Sequence, residues 1–127
     1  SHPLQNMAIN FFFLFIYLDG ENYTFDSGAN TTTLYDAYFT KHKKEIEPFY
    51  KERDITIGGA GGSVTKKGYV ITFKTRINDQ PIVMDSIELF KEPLTDETYF
   101  AGNIGQDIIK KFDKMTINFE SMFIRFD

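Results

Sequence analysis

The sequence has no cysteine, no tryptophan and only two histidines among its 127 residues. Without cysteine the chain forms neither disulfides nor thiolate metal sites, so packing alone must hold it together. Fourteen phenylalanines and seven tyrosines supply the large apolar side chains that such a core needs. The length fits one domain with one core, and we predict a single domain over residues 1–127.

The chain also lacks a surplus of one charge. The formal net charge is −4, and basic residues are scattered except for Lys41, Lys43 and Lys44. No nucleic-acid partner is expected, because binding to nucleic acid needs a continuous basic surface. A peptide or protein partner is compatible with this composition.

Long apolar runs are absent too. The longest, FFFLFIYL at 11–18, is too short to cross a bilayer and is predicted to be a strand, so no membrane span is expected. It also lacks the preceding basic region and the following small-residue cleavage site of a signal peptide. Residues 1–7 are expected to be frayed or tag-derived. The compartment stays open: we expect a soluble protein, and export of a bacterial protein with removal of its N-terminal segment is one alternative.

Turn-forming residues divide the chain into short β-rich segments. Asp19-Gly20 favours a tight hairpin between strands at 8–18 and 21–26, because this dipeptide accepts the positive φ angles of such turns. The hairpin ends at Asp26, a carboxylate directly after an aromatic and β-branched strand. A buried carboxylate at that point is costly unless it is paired or has a function.

The middle of the chain is predicted to hold one helix and a longer hairpin. Asp36 is a suitable N-cap for a helix at 37–46, and Pro48 is expected to end that helix. Strands at Ile55–Ile57 and Tyr69–Phe73 flank the glycine-rich segment GGAGG at 58–62. That segment is predicted to form the tip of the hairpin.

The last third continues in the same way. PIVMDSIELF at 81–90 is predicted to be a strand pair or one bent strand. QDIIKKF at 106–112 is predicted to be a short helix, with Asp107 in its first turn and lysines in its last. TINFESMFIRF at 116–126 alternates and is predicted to close the chain as a hairpin. The fold class is therefore mostly β with one or two short helices.

Three segments occur in the order and spacing of the retroviral-type aspartic proteases, the retropepsins. FDSGANTTTL at 25–34 resembles the active-site turn of that family, ITIGGAGGSV at 55–64 its glycine-rich flap, and NIGQDII at 103–109 the helix entry beneath the active site. The D-S-G triplet alone is a weak signal, since these are ordinary turn residues. The combination is specific, and the closing stretch 104–126 resembles bacterial members in particular.

The resemblance implies a closed, β-barrel-like single lobe with a flap hairpin and an acid-protease fold. It implies an aspartic endopeptidase, in which two carboxylates share one proton and activate water for attack on a peptide bond. One chain offers only one D-S-G, so Asp26 is expected to meet the Asp26 of a second protomer across a homodimer. By the same resemblance Ser27 supplies a hydroxyl for a network between protomers, and Gly28 lets the backbone turn beside the carboxylate.

The remaining site residues follow from the same resemblance. The substrate-binding set comprises Ala29, Asn30, Ile57, Gly58, Gly59, Ala60, Gly61 and Gly62. The structural support beneath the active site comprises Gly105, Gln106 and Asp107. Viral relatives often have an acid and an arginine where this chain has Asn30 and Gln106, and an amide pair is the expected substitute. The helix at 37–46 lengthens the connection to the flap, so specificity is not carried over.

No cofactor is expected, and other candidate residues favour no further chemistry. His42 lies among lysines and is predicted to be solvated, whereas His2 lies in the terminal segment. The acidic pairs Asp85 with Glu88 and Asp96 with Glu97 lack the spacing of a metal site, so no metal is expected.

Two alternatives to the homodimeric protease stay open. The chain is one lobe of a longer tandem protein whose other lobe supplies the partner aspartate, or it is a non-catalytic module that binds peptides or proteins with the same fold. Peptide cleavage and dimer mass separate these hypotheses.

Overall fold

The computed structural model describes residues 14–59, 61–77, 79–94, 99–111, 115–118 and 123–126. Nine strands and two helices lie in this part of the chain. The strands are β1 (Leu14–Leu18), β2 (Glu21–Phe25), β3 (Thr33–Leu34), β4 (Arg53–Gly59), β5 (Gly62–Ile77), β6 (Gln80–Phe90), β7 (Gly102–Ile104), β8 (Met115–Asn118) and β9 (Phe123–Phe126). The helices are α1 (Asp36–Ile46) and α2 (Gln106–Ile109). The prediction of a mostly β chain with one or two short helices is confirmed.

Strands β1 to β7 form one mixed sheet in the order β1-β2-β7-β3-β6-β5-β4. The consecutive hairpins β1-β2, β4-β5 and β5-β6 are antiparallel. At the centre β7 lies between β2 and β3, parallel to the first and antiparallel to the second. The chain between β2 and β3 therefore has to pass over the end of β7, which brings residues 26–32 next to α2.

The sheet curls strongly, but among the described strands it does not close. Tyr23 on β2 and Phe73 on β5 have ring centroids 6.1 Å apart, although three strands separate β2 from β5 in the sheet. Four strand spacings on a flat sheet would put them about 19 Å apart. The expected closed barrel is nevertheless wrong, because β1 and β4 remain at the two edges.

The core fills the concave side of this curl. Helix α1 supplies Tyr38, which meets Phe73 edge-on, and Phe39, which stacks on Tyr69 with ring centroids 5.5 Å apart. On β2 every second residue is buried, so the alternation places Tyr23 and the other core residues on one face. Aromatic packing thus takes the role that disulfides play in other small domains.

Helix α1 begins one residue earlier than predicted. Tyr35 occupies the N-cap position with extended backbone and no side-chain cap, and Asp36 is the first helical residue, so the predicted N-cap was wrong. Asp36 still lies in the first turn, where a negative charge favours the helix dipole. The helix kinks at His42, whose backbone (φ −109°, ψ 17°) leaves the helical range.

The second half of the chain matches the prediction in outline. The long hairpin forms, although its strands extend well beyond the predicted segments. Residues 81–90 belong to one strand rather than to a strand pair, and its register against β5 shifts near Ser86, which has a positive φ of 62°. Helix α2 ends at Ile109, before the two lysines that were predicted for its last turn.

The closing hairpin is confirmed as the antiparallel pair β8-β9, with β9 lying against β1. Several predicted features lie outside the described residues: the N-terminal segment 1–13, Ala60, the pair Asp96 and Glu97, and the turn at 119–122. No helix in the described ranges has the length and apolarity to span a membrane.

Candidate active site

The segment from Asp26 to Ala29 forms a tight turn at the end of β2. The Asp26 amide donates to the Ile104 carbonyl (2.9 Å), which continues the parallel pairing of β2 with β7. The Gly28 amide then donates to Asp26 Oδ1 (2.8 Å), and the Ala29 amide donates to the Asp26 carbonyl (3.1 Å). An aspartate side chain that bonds the backbone two residues later is the mechanism by which this residue favours turns.

The Asp26 carboxylate is exposed, and only one of its oxygens has a partner among the described residues. A Cβ at Gly28 would lie 3.2 Å from Asp26 Oδ1, a close contact that explains why glycine fits here. The turn therefore holds an acidic group by its backbone and leaves it available to water, substrate or a second subunit.

Helix α2 is joined to this turn by three hydrogen bonds. The amides of Gln106 and Asp107 donate to the carbonyls of Ala29 (2.8 Å) and Asn30 (3.1 Å). The Gln106 side-chain amide donates to the carbonyl of Ser27 (2.8 Å). The expected amide pair is therefore wrong in detail, because Gln106 bonds the backbone of Ser27 and not the side chain of Asn30.

A polar cluster beneath the turn stabilises the same contact between the turn and α2. The hydroxyl of Thr32 donates to Asp107 Oδ1 (2.7 Å) and accepts from the Gly105 amide (3.0 Å), and the Thr32 amide donates to Asp107 Oδ2 (2.9 Å). Thr32 is 2% exposed. Because every buried polar group in this cluster has a partner, the cluster stabilises the turn rather than straining it.

Gly105 is required where the two segments approach most closely. A Cβ at this position would lie 2.7 Å from the backbone of Thr31 and 2.9 Å from the carbonyl oxygen of Ala29. No side chain fits such a gap. The predicted support residues Gly105, Gln106 and Asp107 thus all contact the segment 26–32.

Two residues near Asp26 were missed by the sequence analysis. One is Thr32: it shares its strand face with the buried Leu34, so the period of two could have singled it out from its threonine neighbours. The other is Tyr35. The pKa of the Tyr35 phenol is raised, mainly by burial and to a smaller extent by the negative charge of Asp26. The phenol is thus within electrostatic reach of the carboxylate and stays protonated, and no local motif indicates this.

The β4-β5 hairpin has one polar and one apolar face near its tip. On one face Lys67 pairs with Asp54 (2.6 Å), and the hydroxyls of Thr56 and Thr65 are hydrogen-bonded (2.9 Å). On the other face Ile57 opposite Val64 is exposed, although this face continues from the buried Ile55. The hairpin therefore exposes an apolar face near its tip, opposite a polar face. Such an exposed apolar face is suited to bind an apolar segment of another chain.

The glycines of that tip have open space around them. A Cβ at Gly58, Gly61 or Gly62 would meet no atom within 4 Å, and Gly62 has a φ of +118°. Gly59 pairs with Gly62 at the end of the ladder, and Ala60 lies outside the described residues. The tip is therefore not packed against the rest of the described chain.

The structure brings together one part of the predicted site and not the other. The segment from Asp26 to Asn30 lies against Gly105, Gln106 and Asp107. The hairpin from Ile57 to Gly62 lies at the β4 edge of the sheet, and no hydrogen bond joins its described residues to the turn. A contact between tip and turn would need closure of the hairpin or a second protomer.

His42 differs from its prediction. Its side chain is 24% exposed rather than solvated, and it lies between the carboxylates of Glu21 and Glu45. No group of three or more histidine, aspartate or glutamate side chains within the described ranges is arranged to hold a metal ion. The acidic residues Asp85 and Glu88 therefore form no such group.

No model of a protein family and no curated protein matches the chain. The function is therefore inferred from the geometry of Asp26 and its neighbours.

Proposed function

We propose that the protein is an aspartic endopeptidase of the retropepsin-like kind, active as a homodimer. The observation that carries the proposal is the Asp26 turn. It presents an exposed carboxylate with one oxygen held by the Gly28 amide, on a segment cross-linked to α2. Surface carboxylates seldom need such support, whereas a catalytic group must be held in one position.

The strand arrangement supports the same proposal. Asp26 directly follows β2, and β7 is inserted between β2 and β3. The acidic turn therefore passes over the end of an inner strand and does not lie beside an edge strand. The seven-stranded sheet curls around one core, and the β4-β5 hairpin projects from its edge. An acid-protease lobe with a flap has these parts, and the open sheet is the departure from the expected barrel.

In the proposed reaction, two Asp26 carboxylates meet across a two-fold axis and share one proton, because like charges in contact do not both ionise. The ionised Asp26 accepts a proton from a water molecule, whose oxygen attacks the peptide carbonyl carbon. The protonated Asp26 donates to the carbonyl oxygen, which gives a neutral tetrahedral diol. Collapse of the diol transfers a proton to the leaving nitrogen and forms no covalent enzyme intermediate.

In this proposal the β4-β5 hairpin covers the bound substrate. Its glycine-rich tip has room to move, and its exposed Ile57 and Val64 offer an apolar surface to an extended substrate. Backbone groups of such a hairpin bind extended peptides by adding a strand, which gives affinity without strong sequence preference. Closure over the substrate would exclude water other than the nucleophile.

The test is cleavage of a peptide library by the wild-type protein and by Asp26→Asn, from about pH 3 to about pH 8. The substitution keeps the size and the acceptor for the Gly28 amide but removes the ionisable group. Each protein is assayed at several concentrations, with pepstatin as an inhibitor control. The proposal predicts cleavage that rises more steeply than the protein concentration and that Asp26→Asn abolishes.

The other outcomes identify the alternatives. Cleavage by Asp26→Asn at the wild-type rate would contradict the proposal. Absence of cleavage in a chain that stays monomeric would favour one lobe of a tandem protein. Absence of cleavage in a chain that binds peptides would favour the non-catalytic module.

A further inference from the structure

A histidine lies between two carboxylates at the end of β2 opposite Asp26, and we call this group the ion bridge. Nε2 of His42 lies 2.9 Å from Glu21 Oε2, and Nδ1 lies 3.1 Å from Glu45 Oε2. Glu21, the first residue of β2, is 8% exposed, whereas Glu45 is 77% exposed. The ring of His42 also stacks on Tyr38, with centroids 4.1 Å apart. The bridge therefore joins strand β2 to helix α1 through one imidazole ring.

Only one protonation state of the ring satisfies both contacts. A neutral imidazole has one N–H donor and one bare nitrogen, and a bare nitrogen cannot donate to a carboxylate. The imidazolium has two donors and meets both carboxylates with charge-assisted hydrogen bonds. Loss of the proton therefore removes one of the two contacts and leaves Glu21 or Glu45 without its partner in the bridge.

The position of the bridge connects it with Asp26. Tyr35, just before helix α1, lies within electrostatic reach of Asp26 after β2, and His42 in the second half of the helix contacts Glu21 at the start of β2. Tyr38 and His42, four residues apart, lie on one side of the helix, where their rings stack. The kink of α1 falls at His42, the residue that makes the bridge.

We propose that His42 is a protonation-dependent positioning residue. As the imidazolium it holds α1 on β2 and thereby fixes the strand that carries Asp26. As the neutral ring it releases one carboxylate, and the docking of α1 on β2 weakens. The bridge is complete only while His42 is the imidazolium and both glutamates are ionised, and loss of the ring proton weakens it.

Other charged and titratable groups surround the bridge. From the β1-β2 hairpin, Asp19 accepts a hydrogen bond from Thr75 of β5, and Tyr23 is hydrogen-bonded to Glu21. From α1 itself, Lys41 donates to the Gly20 carbonyl at 3.4 Å, and Lys43 pairs loosely with Glu47. Burial, as the largest cause, raises the pKa of both Tyr23 and Tyr38, so these phenols stay neutral where imidazole titrates and do not change the sign of the effect.

The experiment measures thermal unfolding from about pH 4.5 to about pH 8.5 in four proteins. They are the wild type, His42→Gln, Glu45→Gln and the matched control His2→Gln, which removes the other histidine of the chain. The wild type and His2→Gln should lose about 3 °C or more in unfolding temperature as imidazole deprotonates. His42→Gln should stay level to within about 1 °C across that window, and Glu45→Gln should show about half the wild-type loss.

A second readout keeps the test valid if His42→Gln folds poorly. In His2→Gln the ring of His42 gives the only histidine signals in an NMR titration. The proposal predicts that both ring nitrogens are protonated at the acidic end and that the amides of Asn22 to Asp26 shift with the same midpoint as the ring. Parallel pH profiles in wild type and His42→Gln, or ring titration without any change in β2, would overturn it.

The effect on catalysis rests on the proposed function. If the protein is a protease, His42→Gln should lower cleavage mainly at acidic pH, where the wild-type bridge is complete, and should reduce the decline toward neutral pH while Asp26 stays in place. Unfolding and NMR require no proteolysis, so failure of the positioning role and failure of the protease hypothesis give different results.

Discussion

Replacement of Gly105 by alanine should separate α2 from the Asp26 turn. The backbone φ of Gly105 is −109°, which any residue adopts, so the cost of a side chain is purely steric. The added Cβ would lie 2.7 Å from the Thr31 backbone, whereas ordinary contacts begin near 3.4 Å. The Thr31 and Ala29 atoms that the Cβ would meet belong to the backbone, so they cannot rotate away as a side chain could. The turn and the helix must therefore move apart by several tenths of an ångström.

The magnitude follows from what that movement disturbs. Overpacking of a tight contact costs about 1–3 kcal/mol. The Gln106-to-Ala29 hydrogen bond, at 2.8 Å, and the Gly105-to-Thr32 hydrogen bond, at 3.0 Å, would both lengthen, at about 1 kcal/mol each when lost. We expect a loss of about 2–4 kcal/mol in the free energy of unfolding, which lowers the melting temperature by roughly 10 °C.

Gly58→Ala is the matched control, because it adds the same methyl group where no atom lies within 4 Å and where φ is not positive. Its effect should stay within about 0.5 kcal/mol. Since the chain has no tryptophan, far-UV circular dichroism in urea is the assay. Equal stability of Gly105→Ala and Gly58→Ala would refute the close contact between the turn and the helix.

Two further predictions concern buried polar groups. Thr32→Val keeps the shape of the side chain but removes the hydroxyl that bonds Asp107 and Gly105, so it should lower the free energy of unfolding in urea by about 2 kcal/mol. Thr32→Ser keeps the hydroxyl and should cost less. A larger loss in Thr32→Ser than in Thr32→Val would contradict the role of the hydroxyl. Burial, followed by the charge of Glu21, raises the pKa of Tyr23 far above its usual value. Its stabilising contribution is therefore complete below about pH 10 and is lost as the pH rises, because the unfolded phenol ionises first. Tyr23→Phe should give a shallower loss of unfolding free energy above about pH 10, and an unchanged slope would contradict this assignment.

The sequence predicted the hairpins, both helices and the mostly β character because these depend on local signals. Asp19-Gly20 forms the first turn, and Asp19 takes the positive φ of 47° that this turn needs. The open edge of the sheet was not predictable in the same way. Closure depends on how β1 and β4 lie relative to each other, and residues so far apart in the chain give no local pattern.

The candidate site shows the same division. The turn at Asp26 and the support by Gly105 follow from short motifs, since each depends on a few neighbouring residues. The role of Thr32 needed the strand face as well as the motif. The contact of His42 with Glu21 joins residues 21 positions apart, and the lysine neighbours of His42 indicated a solvated ring instead.

The central claim is that catalysis needs Asp26 from two subunits. Wild-type protein mixed with Asp26→Asn, at constant total concentration and after subunit exchange, tests this claim most directly. If both carboxylates are required, activity follows the square of the wild-type fraction and an equal mixture retains about a quarter of full activity. Activity in direct proportion to the wild-type fraction, about half in the equal mixture, would mean that each chain acts alone and would contradict the shared site.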